Sequence, residues 1–374
     1  MASSGLTTAR ARMLLAALAC ASGLALYTWI AANGTDFGVD FNQFYSASRL
    51  AGTGRLYDWD ALRKIEAEHG PPVHTGRLPV VAFGVKLIGW MPYRTAHAVW
   101  VAGGVVAFLV FALVWPGLNR PLMAIALCWS APAAVLLGLG QDTPFWLMFA
   151  ATGLLCLSRG RPRLAGAIFA LCICKYHLAI GIPILLVAQK RWNALLAGAA
   201  AVAVLLGTCF WIEGPAWPRR YLAVLADPLF SPAPVRMANL RGIAWWLPWP
   251  GAVEIVLAIA VACLLWTFLR RTTDLGLAGA GAAAAGLLLA RHGYAGDCAL
   301  LIPLLVFTVQ RPAVPVWLQG WAVLLLTPVP FMLVVLVAHR QFYGQLLIVG
   351  FVVAALLHEC LAKRPAHDPP ALPS

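Results

Sequence analysis

Apolar runs of roughly 15–22 residues recur along nearly the whole chain, and most end at a small cluster of arginine or lysine. This pattern leaves few folds open. A bilayer core about 30 Å thick is crossed by about 20 helical residues, and lipid offers no partner to backbone N–H or C=O groups. Helices that satisfy their own backbone are the economical answer. Composition decides between a membrane and a large soluble core: 61% of the 374 residues are hydrophobic and 11% are charged, where a soluble domain carries roughly a quarter charged residues. The chain reads as an all-α, polytopic transmembrane protein. Its net charge of +13 does not point to nucleic acid, because the cations are scattered between apolar runs and form no single basic face. Retention of positive charge on the cytoplasmic side accounts for many of them.

The nine cysteines are odd in number, and most lie inside apolar runs, as Cys128, Cys156, Cys172, Cys174, Cys209 and Cys263 do. No CxxC pair and no Cys–His metal spacing occurs. They read as small buried hydrophobes, and no metal site or cofactor is expected.

Charge parity sets a topology. Arg10 and Arg12 precede the run at 13–32, which resembles a secretory signal but is long and lacks a small-x-small exit, so it is expected to stay as the first span. Residues 33–92 then form an external loop with helical pieces at 59–68 and 78–92, the remaining spans occupy 93–362, and 365–374 is a disordered tail. About twelve membrane segments result, in a single integral domain covering 1–374, with both termini cytoplasmic. The piece between Arg159–Arg163 and Lys190-Arg191 is the most informative. If both clusters are cytoplasmic, the chain must go out and return in about 26 residues. Each arm then reaches only about 18–20 Å, short of the core thickness. The apex is Cys174-Lys175-Tyr176-His177, polar groups that must face protein or a wet cavity. The alternative is one long tilted span with a snorkelling Lys175.

On this topology the polar residues that membrane folding leaves unexplained gather on the external side. They are Asp36, Asp40 and Tyr45 in the first loop, Gln141 and Asp142, Lys175 and His177, Arg241, and Arg291, His292 and Asp297. Asp36 and Asp40 are four apart, so one helical turn would align them. Acids and bases collected at a water–lipid boundary suit general-base chemistry, and cations at lipid-phosphate depth suit a phosphate leaving group. Blander readings stand beside each: an interfacial loop capped by Asp36, a turn at Gln141-Asp142, a helix cap at Asp297, a solvated His292. No GxxxxGK[ST], HExxH or GxSxG motif occurs, so nucleotide hydrolysis, zinc proteolysis and α/β-hydrolase chemistry lack support.

The series Asp40-Phe41-x-x-Phe44-Tyr45-x-Ala47 followed by Gly54-x-Leu56-Tyr57-Asp58 resembles the first external loop of glycosyltransferase family 87, polytopic GT-C enzymes that include bacterial α-mannosyltransferases. Further matches follow in the family's order: Gly140-Gln141-Asp142; Ala165-Gly166 with Lys175 after an Arg-rich loop; Asn239-Leu-Arg241-Gly242, which departs from Asn-Gln-Ser; and His292-x-Tyr294-x-x-Asp297-x-Ala299-Leu300-Leu301-x-Pro303. The resemblance implies a GT-C-like fold and inverting transfer of a sugar, mannose in many members, from a polyprenyl-phosphate donor to a lipid or glycan acceptor. It implies no obligatory metal. It places the catalytic base on Asp40, gives Lys175 the task of neutralising the donor phosphate, and lets His292 meet the phosphate or position the acceptor. Gln141, Asp142, His177, Tyr45, Arg241, Asp297 and Asp36 join as candidate binding residues. The expected setting is a multi-pass cell-membrane enzyme among membrane lipids with its site on the periplasmic face. The competing classes are a secondary transporter or lipid-carrier flippase and a non-catalytic scaffold.

Overall fold

The computed structural model describes residues 2–32, 38–72, 76–227, 233–335 and 341–362. Asp36 and the expected tail at 365–374 lie outside the described residues. Every regular element among them is helical. In chain order these are α1 (Ala2–Ala32), α2 (Val39–Leu50), α3 (Trp59–Glu66), α4 (Pro79–Gly84), α5 (Tyr93–Val114), α6 (Arg120–Trp129), α7 (Ala131–Leu139), α8 (Thr143–Ser158), α9 (Pro162–Ala170) and α10 (Gly181–Ala188). Then follow α11 (Trp192–Glu213), α12 (Trp217–Ala226), α13 (Leu240–Ala244), α14 (Pro250–Arg271), α15 (Leu275–Leu289), α16 (Ile302–Gln310), α17 (Val316–Leu326), α18 (Val329–Val335) and α19 (Gln341–Leu361).

Four helices, α5, α11, α14 and α19, are long and apolar enough to cross a membrane, and α6 with α7, bent by 62°, makes a fifth if the two count as one span. The twelve expected segments therefore do not appear as twelve long helices. Apolar runs are cut by proline at a helix start: Pro132 in α7 and Pro303 in α16. Proline ends the preceding helix and is tolerated in the first turn of the next. At the α6–α7 bend Ser130 supplies the cap, its Oγ accepting from Ala133 N at 3.3 Å.

The core is organised on α15, whose residues Gly276 to Leu288 are all buried. Its sequence is nearly all glycine, alanine and leucine, so neighbouring backbones approach closely, the packing that serves where burial from water drives nothing. A Cβ on Gly181 at the start of α10 would lie 1.9 Å from the carbonyl oxygen of Ala282, and one on Gly286 would lie 2.5 Å from that of Leu178.

This contact seats the hairpin that charge parity anticipated. α9 returns alongside α8, with Phe169 against Gly153 and Cys172 Sγ reaching the carbonyl of Trp146. Residues Leu171–Leu178 form a 3-10 turn kinked at Lys175 (φ −131°, ψ 64°). α10 then runs back beside α15, and Gln189 Nε2 donates to the carbonyl of Thr272 at the end of α14. Both arms thus start and finish at one end of the bundle, while Lys175 sits at the other, beside Thr143 at the start of α8. The single tilted span is not what forms.

The first loop packs over that second end. Asp58 caps α3 by accepting from Ala61 N at 3.1 Å, which places a surface helix where the charge pattern predicts one. The expected interfacial helix at 78–92 is instead two pieces, α4 and a 3-10 turn at Lys86–Trp90. Lys86, the first residue of the second piece, donates its ammonium to the carbonyl of Ala51 in the turn after α2. Gly52 N donates to the buried Glu213 carboxylate at the end of α11, 2.7 Å away, so the loop is pinned to a membrane-capable helix.

Replacing Gly181 by alanine should force α10 away from α15 and cost about 1–3 kcal/mol of stability. The expected readout is a lowered unfolding temperature in detergent, against an unchanged Gly207→Ala control, whose Cβ would meet open space.

Candidate active site

Four chain segments deliver polar side chains to one cluster. The first turn of α2 carries Asp40. The α7–α8 link carries Gln141, Asp142 and Thr143, the kinked turn carries Lys175, and the segment before α16 carries Asp297. Gly140 sets the link. It ends α7 with φ +73°, and a Cβ there would lie 2.6 Å from that of Phe41. Glycine thus answers both the left-handed backbone and the close approach of α2. Trp100 Nε1 of α5 donates to the Gly140 carbonyl at 2.8 Å.

Lys175 is the centre. It is 5% exposed and its ammonium donates to Gln141 Oε1 at 2.9 Å, Thr143 Oγ1 at 2.7 Å and Asp297 Oδ1 at 2.6 Å. An ammonium has three protons, and all three meet protein oxygens. Asp142 Oδ1 stands 3.6 Å away. Asp297 is held on its other oxygen by Tyr294 N at 3.1 Å and on Oδ1 also by Thr143 Oγ1 at 2.9 Å. The family resemblance gave Lys175 the donor phosphate as a partner; in the structure its ammonium protons meet protein oxygens. Its donors are already engaged, so it positions other groups.

The ammonium also orients Gln141. With Oε1 turned to a cation, the amide must aim its Nε2 the opposite way, and it donates to Asp40 Oδ2 at 2.5 Å. A continuous chain therefore runs Asp40–Gln141–Lys175–Asp297. The three carboxylates differ in what neutralises them. Asp297 has Lys175, and Asp142 has Arg77, whose Nη1 lies 2.6 Å from Oδ2. Asp40 has only a neutral amide, and its Oδ1 accepts no hydrogen bond among the described residues. Burial pushes the Asp40 carboxyl above its ordinary pKa, while the Gln141 hydrogen bond and the charges of Lys175 and Arg77 partly oppose the rise.

His292 lies five positions before Asp297 in the chain, and its ring is 6.0 Å, edge-on, from that of His177. Burial, then the charges of Arg241 and Arg291, lower the His292 pKa. At neutral pH it is an uncharged imidazole, and the positive charge beside it belongs to the arginines. Among the described residues no carboxylate pairs with Arg241 or Arg291. Asn239 explains how Arg241 gets there: it caps α13 through Gly242 N at 3.1 Å and ties it to the Ala290 carbonyl at 2.7 Å.

The expected candidates thus divide. Asp40, Gln141, Asp142, Lys175 and Asp297 are brought together, with His177, His292 and Arg241 beside them. Tyr45 is not: its hydroxyl donates to the Met91 carbonyl at 3.0 Å among the rings of Phe41, His69 and Tyr93. Asp36 is outside the described residues. Sequence reading missed Thr143 and Arg77. The Arg77 guanidinium lies 4.1 Å over the Phe44 ring while paired to Asp142. Its signal was available, a lone arginine before an apolar run in an otherwise external segment, where retention of cations in the cytoplasm offers no explanation.

Breaking the buried pair by Lys175→Met should cost about 3–5 kcal/mol, because Asp297 is left charged and unpaired. The double variant Lys175→Met with Asp297→Leu should recover part of that loss in the same detergent unfolding assay.

The model of glycosyltransferase family 87 matches residues 79–291, more than half of the chain. The matched stretch holds Arg241, Lys175, His177 and the Gln141-Asp142 link; it ends one residue before His292 and begins after Asp40. Neither the curated proteins nor the solved structures include a match to this chain.

Proposed function

The chain belongs to glycosyltransferase family 87, and on that premise we propose that this membrane glycosyltransferase is inverting, taking a sugar, mannose in our reading, from a polyprenyl-phosphate donor. The acceptor is a lipid or glycan hydroxyl on the external face of the cell membrane. One observation carries the assignment of the base: of the three clustered carboxylates, Asp40 alone lacks a cationic partner and keeps an oxygen uncommitted.

In this reading Asp40 Oδ1 takes the proton of the acceptor hydroxyl as its oxygen attacks the anomeric carbon. The carbon–oxygen bond to the phosphate breaks with its electron pair going to phosphate, and the stereocentre inverts. Phosphate is a good leaving group once its charge is met, which makes the unpaired Arg241 and Arg291 near His292 the natural counter-charges. Gln141 holds the carboxylate in one rotamer, and Lys175 holds Gln141. The external placement is supported by polarity along the bundle. Arg161, Lys190, Arg191, Arg270 and Arg271 lie at the ends of α8, α10 and α14 remote from Asp40, and such clusters stay cytoplasmic.

Purified protein given labelled polyprenyl-phosphate-mannose and membrane-lipid acceptors tests the proposal. Transfer should fall about 100- to 10,000-fold in Asp40→Asn. No transfer from any polyprenyl-phosphate sugar would end it.

The pH profile adds a second check. Because the Asp40 pKa is raised, activity should be full above that raised value and fall as pH drops through it, at a midpoint higher than an ordinary carboxylate gives. Gln141→Leu removes a contact that lowers the pKa, so the acid limb should move to still higher pH, along with a loss in rate.

A further inference from the structure

Tyr294 follows His292 by two positions, and nothing described so far uses its hydroxyl. The oxygen is buried and has no hydrogen-bond partner among the described residues. A phenol taken out of water without a partner is destabilising, and an orphan of this kind calls for an explanation. Its surroundings supply one. The backbone N of Tyr294 is fixed by Asp297 Oδ2 at 3.1 Å, so the residue is tied to the Lys175 network. Asp297 and Asp40 are near enough to raise the pKa of the phenol, and Arg241 and Arg236 near enough to lower it. Burial, with Asp297 next, pushes its pKa up, so the group is a neutral O–H that can donate throughout the physiological range.

We infer that the Tyr294 hydroxyl contacts the donor, giving its hydrogen bond to an oxygen of the lipid-linked phosphate. The inference rests on the lipid-phosphate reading of the site and deepens it. Chemistry favours the phosphate over the acceptor. The attacking oxygen must lie against Asp40 Oδ1, and the leaving group of an in-line displacement must lie on the far side of the anomeric carbon, toward Arg241. A neutral phenol stabilises most where it donates to growing negative charge, and that charge grows on the departing phosphate; the hydroxyl adds a directed donor where the arginines add charge. A neutral donor to a charged phosphate oxygen is among the stronger hydrogen bonds a site can offer.

The test is Tyr294→Phe in the full-length protein in detergent, which deletes one oxygen and keeps the ring. Farnesyl monophosphate is the binding probe, and farnesol is the control lacking the phosphate. Binding of farnesyl monophosphate should weaken about tenfold, farnesol binding should not change, and the unfolding temperature should stay the same or rise, since an unpaired buried hydroxyl has been removed. Undiminished farnesyl monophosphate binding would overturn the inference. So would a fall in unfolding temperature together with equal weakening toward both probes, which would mark a structural residue. Separately, labelled transfer by the unsubstituted protein reads the parent proposal. If that transfer is present and Tyr294→Phe binds the phosphate normally, only the tyrosine assignment falls. If no lipid-phosphate sugar is a donor, the parent reading falls as well.

Discussion

A single buried ammonium decides how this molecule is put together. Lys175 sits at the apex of a hairpin too short to cross a bilayer, and it is stable there because three protein oxygens surround it. An uncompensated charge at that depth would be driven to neutralise or to move. Each oxygen comes from a different purpose: Asp297 supplies the counter-charge, Thr143 fixes the start of α8, and Gln141 passes orientation on to Asp40. The polar cluster around Asp40 and the packing of these helices are therefore one network. A substitution within it is expected to disturb both.

The network depends in turn on α15. Only a helix with almost no side-chain volume lets the hairpin come close enough for Lys175 to meet Asp297, whose segment follows directly from the same helix. Stability and chemistry share a cause here that lies in what the sequence omits: bulk at Gly181, Ala282 and Gly286.

Much of this was legible in the residues alone. Apolar periodicity and the basic clusters gave a helical membrane protein, and counting the clusters gave the hairpin and its polar apex. The motif order singled out Asp40, Gln141, Lys175 and the His292–Asp297 stretch, with a resemblance to the family that the chain proved to match. What stayed hidden was how polar groups divide their partners. Sequence offers Lys175 as a cation available to phosphate, yet a proton count at its ammonium leaves none over. It offers Tyr45 as a site residue because it neighbours Asp40, yet one helical step turns it into an aromatic cluster. Arg77 went unread because it belongs to no run, and its partners Asp142 and Phe44 are distant in the chain. Prolines inside apolar runs break helices without changing hydropathy, so the twelve segments read from the sequence show as four long helices, one bent pair and several shorter apolar helices.

Lys175 and Asp297 are separated by 122 positions, and that distance has a consequence for biosynthesis. A ribosome makes the cation long before its counter-ion, so the nascent hairpin must be held by the insertion machinery, or near lipid headgroups, until the later helices arrive. Asp40, earlier still, reaches the same network through Gln141. A chain halted before residue 297 would thus leave the Lys175 ammonium without its counter-ion.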